Sequence, residues 1–266
     1  MIRALPILLL GAVVAIAVVP ELLVDPYAPL PCCSPTASFQ TTFAMTGSEI
    51  VYVLEDASAD EKEAIGELEI KLEELRRILR GMGGLVLAYS GGVDSTFLLK
   101  VAHDCLGERT LAVIGRSKTV PSRELEFAIE TAREVGARYE MVDTEELEHP
   151  DFTSNPPERC FHCKTELFGK LRALAAKEGL EWVADGSNAD DAGDHRPGLE
   201  AGRAMGVRSP LMEVGLTKAE IRWHSCEAGL PTWDKPSKAC LSSRFPYGSI
   251  ITKSKLAVIE EAENFL

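Results

Sequence analysis

Apolar residues recur at helical spacing in the segment that opens at Ala59. There Ile65, Leu68, Leu72, Leu75 and Leu79 share one face, and Glu and Lys occupy the rest. The pattern predicts an amphipathic packing helix that Gly81, Gly83 and Gly84 bring to an end. Leu85-Val86-Leu87-Ala88-Tyr89 follows without alternation, as a short strand covered on both faces would. Beyond it, strand and helix patterns take turns. A helix is predicted over 96–105, a strand over 110–115, a helix over 122–135 opened by Pro121-Ser122, and a strand over 138–142. A helix over 163–177, a strand over 182–184 and a short helix over 198–205 continue the series. This alternation predicts an α/β fold, a doubly wound parallel sheet. Ligands of such sheets bind beyond the carboxyl ends of the strands, which nominates residues 90–95, 115–117, 143–144 and 185–188.

Ahead of residue 59 the pattern is different. After Arg3, residues 4–19 carry no charge, and Pro20 and Glu21 close the run. It reads as a signal-peptide core or a short anchor, below the roughly 20 residues of a comfortable membrane span. Residues 20–50 are rich in Pro, Ser and Thr and carry the adjacent pair Cys32 and Cys33, so they read as a linker or non-native leader, with Met45 a candidate start. The expected division is a leader over 1–58, a nucleotide-binding domain over 59–230 and a C-terminal segment over 231–266.

Composition narrows the function. With 28 Lys+Arg against 41 Asp+Glu the formal charge is −13, which excludes a broad basic surface for long nucleic acid. The cysteines at 32, 33, 105, 160, 163, 226 and 240 do not form the spacing of a secreted disulfide framework. Thiols or cluster ligands in a reducing compartment fit better, so the cytoplasm is the expected location and a membrane is not. Cys105 and Cys226 lie beside apolar neighbours and read as core thiols.

Ser90-Gly91-Gly92-Val93-Asp94-Ser95 joins the first buried strand to the next helix. Glycines let the backbone approach an anion, successive N–H groups point at it, and the helix N-terminus adds positive potential. The Ser90 and Ser95 hydroxyls are donors for phosphate oxygens, and Asp94 is a candidate for holding Mg2+ against them. The motif is neither a Walker A loop nor G-x-G-x-x-G. As it stands it resembles the PP-loop of ATP pyrophosphatases, which split ATP into AMP and pyrophosphate. The turn Asp185-Gly186-Ser187-Asn188-Ala189-Asp190-Asp191 lies in the same row of strand ends. Ser117, Gly186 and Ser187 are candidates, with Gly91 and Gly92, for ATP, and Asp190 for a second carboxylate near Mg2+.

Cys160 and Cys163 form a CxxC in Arg159-Cys160-Phe161-His162-Cys163-Lys164, on a loop at a helix start, where the dipole is expected to lower a thiol pKa. Cys240 is distant, in Lys235-Pro236-Ser237-Lys238-Ala239-Cys240-Leu241-Ser242-Ser243-Arg244. If Cys240 folds back on the CxxC, three thiolates suit a four-iron four-sulfur cluster with one open iron. Zinc completed by His162, His149 or His195 is the rival. Arg244, beside Ser243, and then Arg208 are the candidates for a substrate phosphate or the adenylate, with a surface ion pair as the alternative for each.

The PP-loop, Pro121-Ser122-Arg123-Glu124, Arg159-Cys160-x-x-Cys163-Lys164, Asp185-Gly186-Ser187-Asn188, Gly206-Val207-Arg208-Ser209-Pro210-Leu211 and Ala239-Cys240-Leu241-Ser242-Ser243-Arg244 resemble, in this order, the LarE family. The likeness runs from about residue 62 to the end. It implies an ATP-dependent sulfur transferase of nickel-pincer nucleotide cofactor synthesis. ATP would adenylate a carboxylate of pyridinium-3,5-biscarboxylic acid mononucleotide, and sulfur would then displace AMP to give a thiocarboxylate. Members with one site cysteine, at the position of Cys240, give up its own sulfur. Members with three carry a cluster that ferries sulfide, and Cys160, Cys163 and Cys240 resemble that kind. The family also implies a trimer or hexamer, while the sulfide donor stays unnamed. Family members continue past the position of Leu266 with a further αβ segment, so the resemblance implies a shortened C-terminus here. A tRNA thiolase, an amidating synthetase and a membrane-tethered nucleotide sensor are the alternatives. The acidic charge opposes the first, and the lack of room for a glutaminase domain opposes the second.

Overall fold

The computed structural model describes residues 8–9, 12–13, 42–46, 49–53, 59–193 and 196–265. The chain divides into two compact units, Met1–Ile70 and Lys71–Leu266. In the first, β1 (Leu8–Leu9) pairs antiparallel with β2 (Ala12–Val13), and β3 (Thr42–Thr46) with β4 (Glu49–Val53). The second hairpin falls partly where the sequence pattern predicts a linker, because Thr, Phe, Ile, Val and Tyr there favour a strand locally. Cys32, Cys33 and most of the uncharged run lie outside the described residues. Among the described residues no helix is long and apolar enough to cross a membrane.

After α1 (Ala59–Met82), the second unit is built on a four-stranded parallel sheet. Its strands are β5 (Leu85–Ala88), β6 (Thr110–Arg116), β7 (Arg138–Asp143) and β8 (Trp182–Asp185), in the order β7-β6-β5-β8. The chain moves outward from β5 to β7, then returns to place β8 on the other side of β5. That reversal opens a crevice between the carboxyl ends of β5 and β8. Residues on alternate positions part to two layers. Leu85, Leu87, Ala112 and Ile114 pack under α2 (Val93–Leu106) and α3 (Ser122–Val135) with Leu75, Leu79, Leu98 and Ala128. Val86, Ala88, Leu111 and Val113 face the other way, among Phe168, Leu171 and Ala175 of α5 (Arg159–Glu178). Each fully buried leucine contributes about 2 kcal/mol, so these two layers hold the frame on which the strand-end loops sit.

The remaining elements are short: α4 (Pro150–Thr153), α6 (Pro197–Ala204), α7 (Pro210–Glu213), α8 (Lys218–Glu227) and α9 (Lys253–Phe265). A third, smaller core of Phe152, Leu241, Phe245, Ile251 and Leu256 joins α4, the turn after Cys240 and α9, with Cys163 packed against it. The predicted helix over 163–177 starts earlier, at Arg159, immediately after Pro156-Pro157-Glu158. The CxxC therefore lies within the helix and not on the loop before it. Cys160 and Cys163 stand one turn apart on one face.

Candidate active site

The loop after β5 turns sharply at Gly91, whose φ of +68° an L side chain rarely adopts. A β-carbon there would also lie 2.7 Å from the Ala128 side chain of α3, so glycine meets both a backbone and a packing requirement. The hydroxyls are gathered inward: Ser90 Oγ lies 3.1 Å from Ser95 Oγ, which donates to the Gly92 carbonyl at 3.2 Å. Helix α2 begins at Val93, with Gly92 as its N-cap and no side chain capping it. Its first turn is therefore left without a side-chain cap, as an anion site requires.

Across the crevice the register sets Ala88 of β5 opposite Asp185 of β8. The turn that follows packs on the loop so closely that a β-carbon on Gly186 would lie 2.9 Å from Ser95 N. Asp185 is buried and spent on structure: it accepts from Ser187 Oγ at 3.0 Å and Ser209 Oγ at 2.7 Å. Buried Asn188 donates to Asp94 Oδ1 at 3.3 Å and accepts from Asp190 N at 2.9 Å. Asp190 in turn accepts from Lys218 N at 2.9 Å, at the start of α8, while Lys218 Nζ pairs with Asp94. Ser90, Gly91, Gly92, Asp94, Ser95, Gly186, Ser187 and Asp190 thus share one rim. Ser117 stands further along the strand ends, on a cleft of about 520 Å3 shared with Lys118, Val120, Thr144 and Leu147.

Sequence reasoning missed Lys218. The only signal near it was Thr217-x-x-Glu220, a capping box that the structure forms in full and that starts α8 at this lysine. It also left Lys235 unweighed, although Lys235 Nζ donates to the Gly91 carbonyl at 2.9 Å. Glu146 was missed as well. It is only 2% exposed, accepts from Thr119 Oγ1 at 2.9 Å, and leaves Oε2 without a hydrogen-bond partner.

The three cysteines converge. Asn155, at φ +57°, bonds through Nδ2 to the Pro246 carbonyl at 2.8 Å and through Oδ1 to Arg159 Nη1 at 2.5 Å. It thereby ties the start of α5 to the chain beyond Cys240. Leu241 N donates to the Thr119 carbonyl at 2.8 Å, anchoring Cys240 beside the turn after β6. Cys160 is exposed, whereas Cys163 and Cys240 are half-buried. Desolvation holds the Cys160 thiol above its ordinary value and the neighbouring Cys240 adds to it. Burial pushes Cys163 up to about 12, with Glu146 the next cause and Cys240 and Cys160 contributing. The expected lowering by the helix N-terminus is therefore overturned, because burial and mutual repulsion outweigh it. A bound cation would reverse that balance, since thiolates are the metal-binding form.

Among the described residues no group of three His, Cys, Asp or Glu is arranged to hold a single metal ion. His149 and His162 do line one cleft of about 320 Å3 with Glu146 and Phe161, and His195 lies outside the described residues. A mononuclear zinc shell is compact, with Zn–S about 2.3 Å. Cys240 is near enough for its charge to raise both CxxC thiols, which sets the three sulfurs in one neighbourhood. Mg2+ bound with phosphates needs only one or two carboxylates, and Asp94 and Asp190 stand on the same rim, both tied to Lys218.

The arginines are engaged elsewhere. Arg208 pairs with Glu213 through both ends of its guanidinium, Nε to Oε1 at 2.6 Å, and lies over the Trp182 ring. In this arrangement it braces the chain beside β8. Arg244 Nε meets Glu263 at 2.5 Å and Nη1 lies 3.3 Å from Ser243 Oγ, while Ser243 Oγ donates to the Cys240 carbonyl at 2.7 Å. Cys105 packs against the main core as expected. Cys226 does not match its reading as a free core thiol, since it is disulfide-bonded.

A family model described as NAD synthase matches residues 67–158, the stretch that carries the loop after β5. An uncharacterised protein of Synechocystis sp. is 46% identical over 199 residues, covering 75% of this chain and 74% of that one. The pyridinium-3,5-bisthiocarboxylic acid mononucleotide synthase of Lactiplantibacillus plantarum is 34% identical over 200 residues, covering 75% of this chain and 72% of that one. A component of the glutamine-hydrolysing GMP synthase of Thermococcus kodakarensis is 36% identical over 176 residues, covering 62% of this chain and 56% of that one. With the crevice, the loop and the turn that faces it in place, the chain belongs to the LarE family of PP-loop, ATP-dependent sulfur transferases.

Proposed function

We propose that this enzyme activates a carboxylate of pyridinium-3,5-biscarboxylic acid mononucleotide with ATP and replaces one carboxylate oxygen with sulfur delivered from the Cys160, Cys163 and Cys240 set. The observation that carries the reading is the anchoring of Cys240 beside the turn after β6, through Leu241 and Thr119, with the start of the CxxC helix tied by Asn155 to the chain beyond it. A carboxylate is a poor electrophile with a poor leaving group. Its oxygen attacks the α-phosphorus of ATP, the bond to the β-phosphate breaks, and pyrophosphate leaves with the electron pair. Ser90, Ser95 and the N–H groups of residues 91–95 hold the departing phosphates. Asp94 would hold Mg2+, with Asp190 nearby, and Lys218 places a positive charge beside them. Ser117, Gly186 and Ser187 face the nucleoside.

A sulfur nucleophile then adds to the acyl carbon, the C–O bond to AMP breaks, and a thiocarboxylate remains. When bound, a four-iron cluster held by Cys160, Cys163 and Cys240 would supply an iron with an open position for sulfide. Self-sacrifice of the Cys240 sulfur is the second reading, favoured by the bond that its neighbour Leu241 makes to the turn after β6. Arg244 is the group for the substrate phosphate, exchanging Glu263 for it, with Ser243 alongside. The reading sets the reaction in the cytoplasm, and in a homo-oligomer as the family implies.

The test follows both half-reactions in the full chain with Mg·ATP and substrate. Cys240→Ala is expected to keep pyrophosphate release and lose thiocarboxylate. Thiocarboxylate formed at the original rate by that variant would overturn the assignment.

A further inference from the structure

The chain that delivers Cys240 has no regular structure of its own. Between α8 and the turn that opens at Leu241 there is neither helix nor strand; buried Leu230 and Thr232 hold its first part, and side-chain contacts the rest. Arg222 of α8 donates to the Trp233 carbonyl at 2.6 Å and to the Lys235 carbonyl at 2.8 Å. The next contacts converge on one carboxylate. Glu124, in the first turn of α3, takes Lys235 Nζ at 3.0 Å on one oxygen and Lys238 Nζ at 2.6 Å on the other. Lys235 also lies 3.7 Å from the centroid of the Phe127 ring and reaches the Gly91 carbonyl. Glu124, Phe127 and Ala128 are spaced to share one face of α3. That single face supports the glycine of the phosphate loop through Ala128 and the cysteine segment through Glu124.

We propose that Glu124 is the positioning residue for Cys240, holding residues 235–240 across the phosphate loop so that the sulfur donor stands over the carboxylate that the loop activates. This rests on the reading of Cys240 as the residue that delivers sulfur. Glu124 touches neither nucleotide-binding hydroxyl nor thiol, and it meets the phosphate loop only at second hand, through Lys235 and the Gly91 carbonyl. A misplacement of 1 Å costs on the order of 100-fold in a reaction that depends on approach geometry. The clasp also has a directional consequence. Adenylation depends on the loop and the turn after β8, which Glu124 does not build, whereas sulfur transfer depends on the segment it holds.

The experiment compares the full-length chain with Glu124→Gln and Glu124→Asp. It scores thiocarboxylate formed per pyrophosphate released, and the rate at which iodoacetamide alkylates Cys240 relative to Cys160, mapped by mass. Glu124→Gln is expected to lower the ratio about tenfold or more, with pyrophosphate release nearly as in the parent and Cys240 alkylated faster. Glu124→Asp, which keeps the charge for two flexible lysines, is expected to restore most of both. A parental ratio and a parental alkylation pattern in Glu124→Gln would overturn the proposal. If Glu124→Gln fails to fold, Lys238→Met, at a side chain 41% exposed, loosens the same clasp and is read by the same alkylation ratio. An unchanged ratio there overturns the proposal equally. Should Cys240→Ala keep transferring sulfur, the reading of Cys240 fails by itself, and the alkylation rates still decide whether Glu124 holds the segment.

Discussion

The two halves of the site are built in opposite ways. On the ATP side, a strand, a glycine turn and a helix run consecutively from β5 through Ser90–Ser95 into α2, and the partner turn after β8 is held at a fixed register. On the sulfur side, Cys160 and Cys163 ride on α5, Cys240 arrives on an irregular segment, and Asn155, Thr119 and Glu124 draw them together. The first half is stiff because the sheet's two cores support it. The second is held by hydrogen bonds and ion pairs over a small third core. Substitutions should therefore separate the two half-reactions, and the chemistry most exposed to disruption is sulfur delivery.

The sharpest break is expected at Asp94. Asp94→Asn removes a charge that would hold magnesium and should lower pyrophosphate release about 100- to 1000-fold, while the cysteine set keeps its metal content. Loss of both would show that the halves are not separable. Next is Gly186→Ala, whose added methyl meets Ser95 N. Overpacking of this kind costs about 1–3 kcal/mol, seen as weaker ATP binding by calorimetry. On the other side, Asn155→Gly keeps the positive φ but loses the bonds to Pro246 and Arg159. A loss of about 1–3 kcal/mol in denaturant unfolding is expected, with sulfur transfer reduced more than pyrophosphate release. The smallest effect is a pH dependence. Burial would raise the Glu124 carboxyl, but hydrogen bonds from Lys238 and Lys235 more than offset it, leaving it below the usual range. A depressed carboxyl stabilises the fold above its unfolded value, about 4.3, and that stabilisation is lost as pH falls through the folded value. The difference in melting temperature between parent and Glu124→Gln should be constant from about pH 8 to 5 and close at lower pH.

What could be read from the sequence follows the same division. Apolar runs and helical stripes carry the sheet, and the helix predicted over 122–135 matches α3 end to end. Ser90–Ser95 and Asp185–Asn188 could be placed together because the carboxyl-end rule converts order along the chain into proximity. The ion pairs could not. Lys218 meets Asp94 and Lys238 meets Glu124 across separations that no periodicity encodes. Nor could the pair that Arg208 makes with Glu213, five residues on. The thiol pKa expectation failed because the helix terminus is a local feature, whereas burial against Phe152, Leu241 and Ile251 is a tertiary one.

The central claim is that Cys160, Cys163 and Cys240 act as one set. The most direct measurement is the iron and labile sulfide content of the full chain purified without oxygen, beside Cys160→Ala, Cys163→Ala and Cys240→Ala. About four irons and four sulfides per chain, lost together in each variant, are the predicted result. Metal that survives Cys240→Ala, or a chain without iron whose Cys240 becomes lighter by hydrogen sulfide after one turnover, would contradict it.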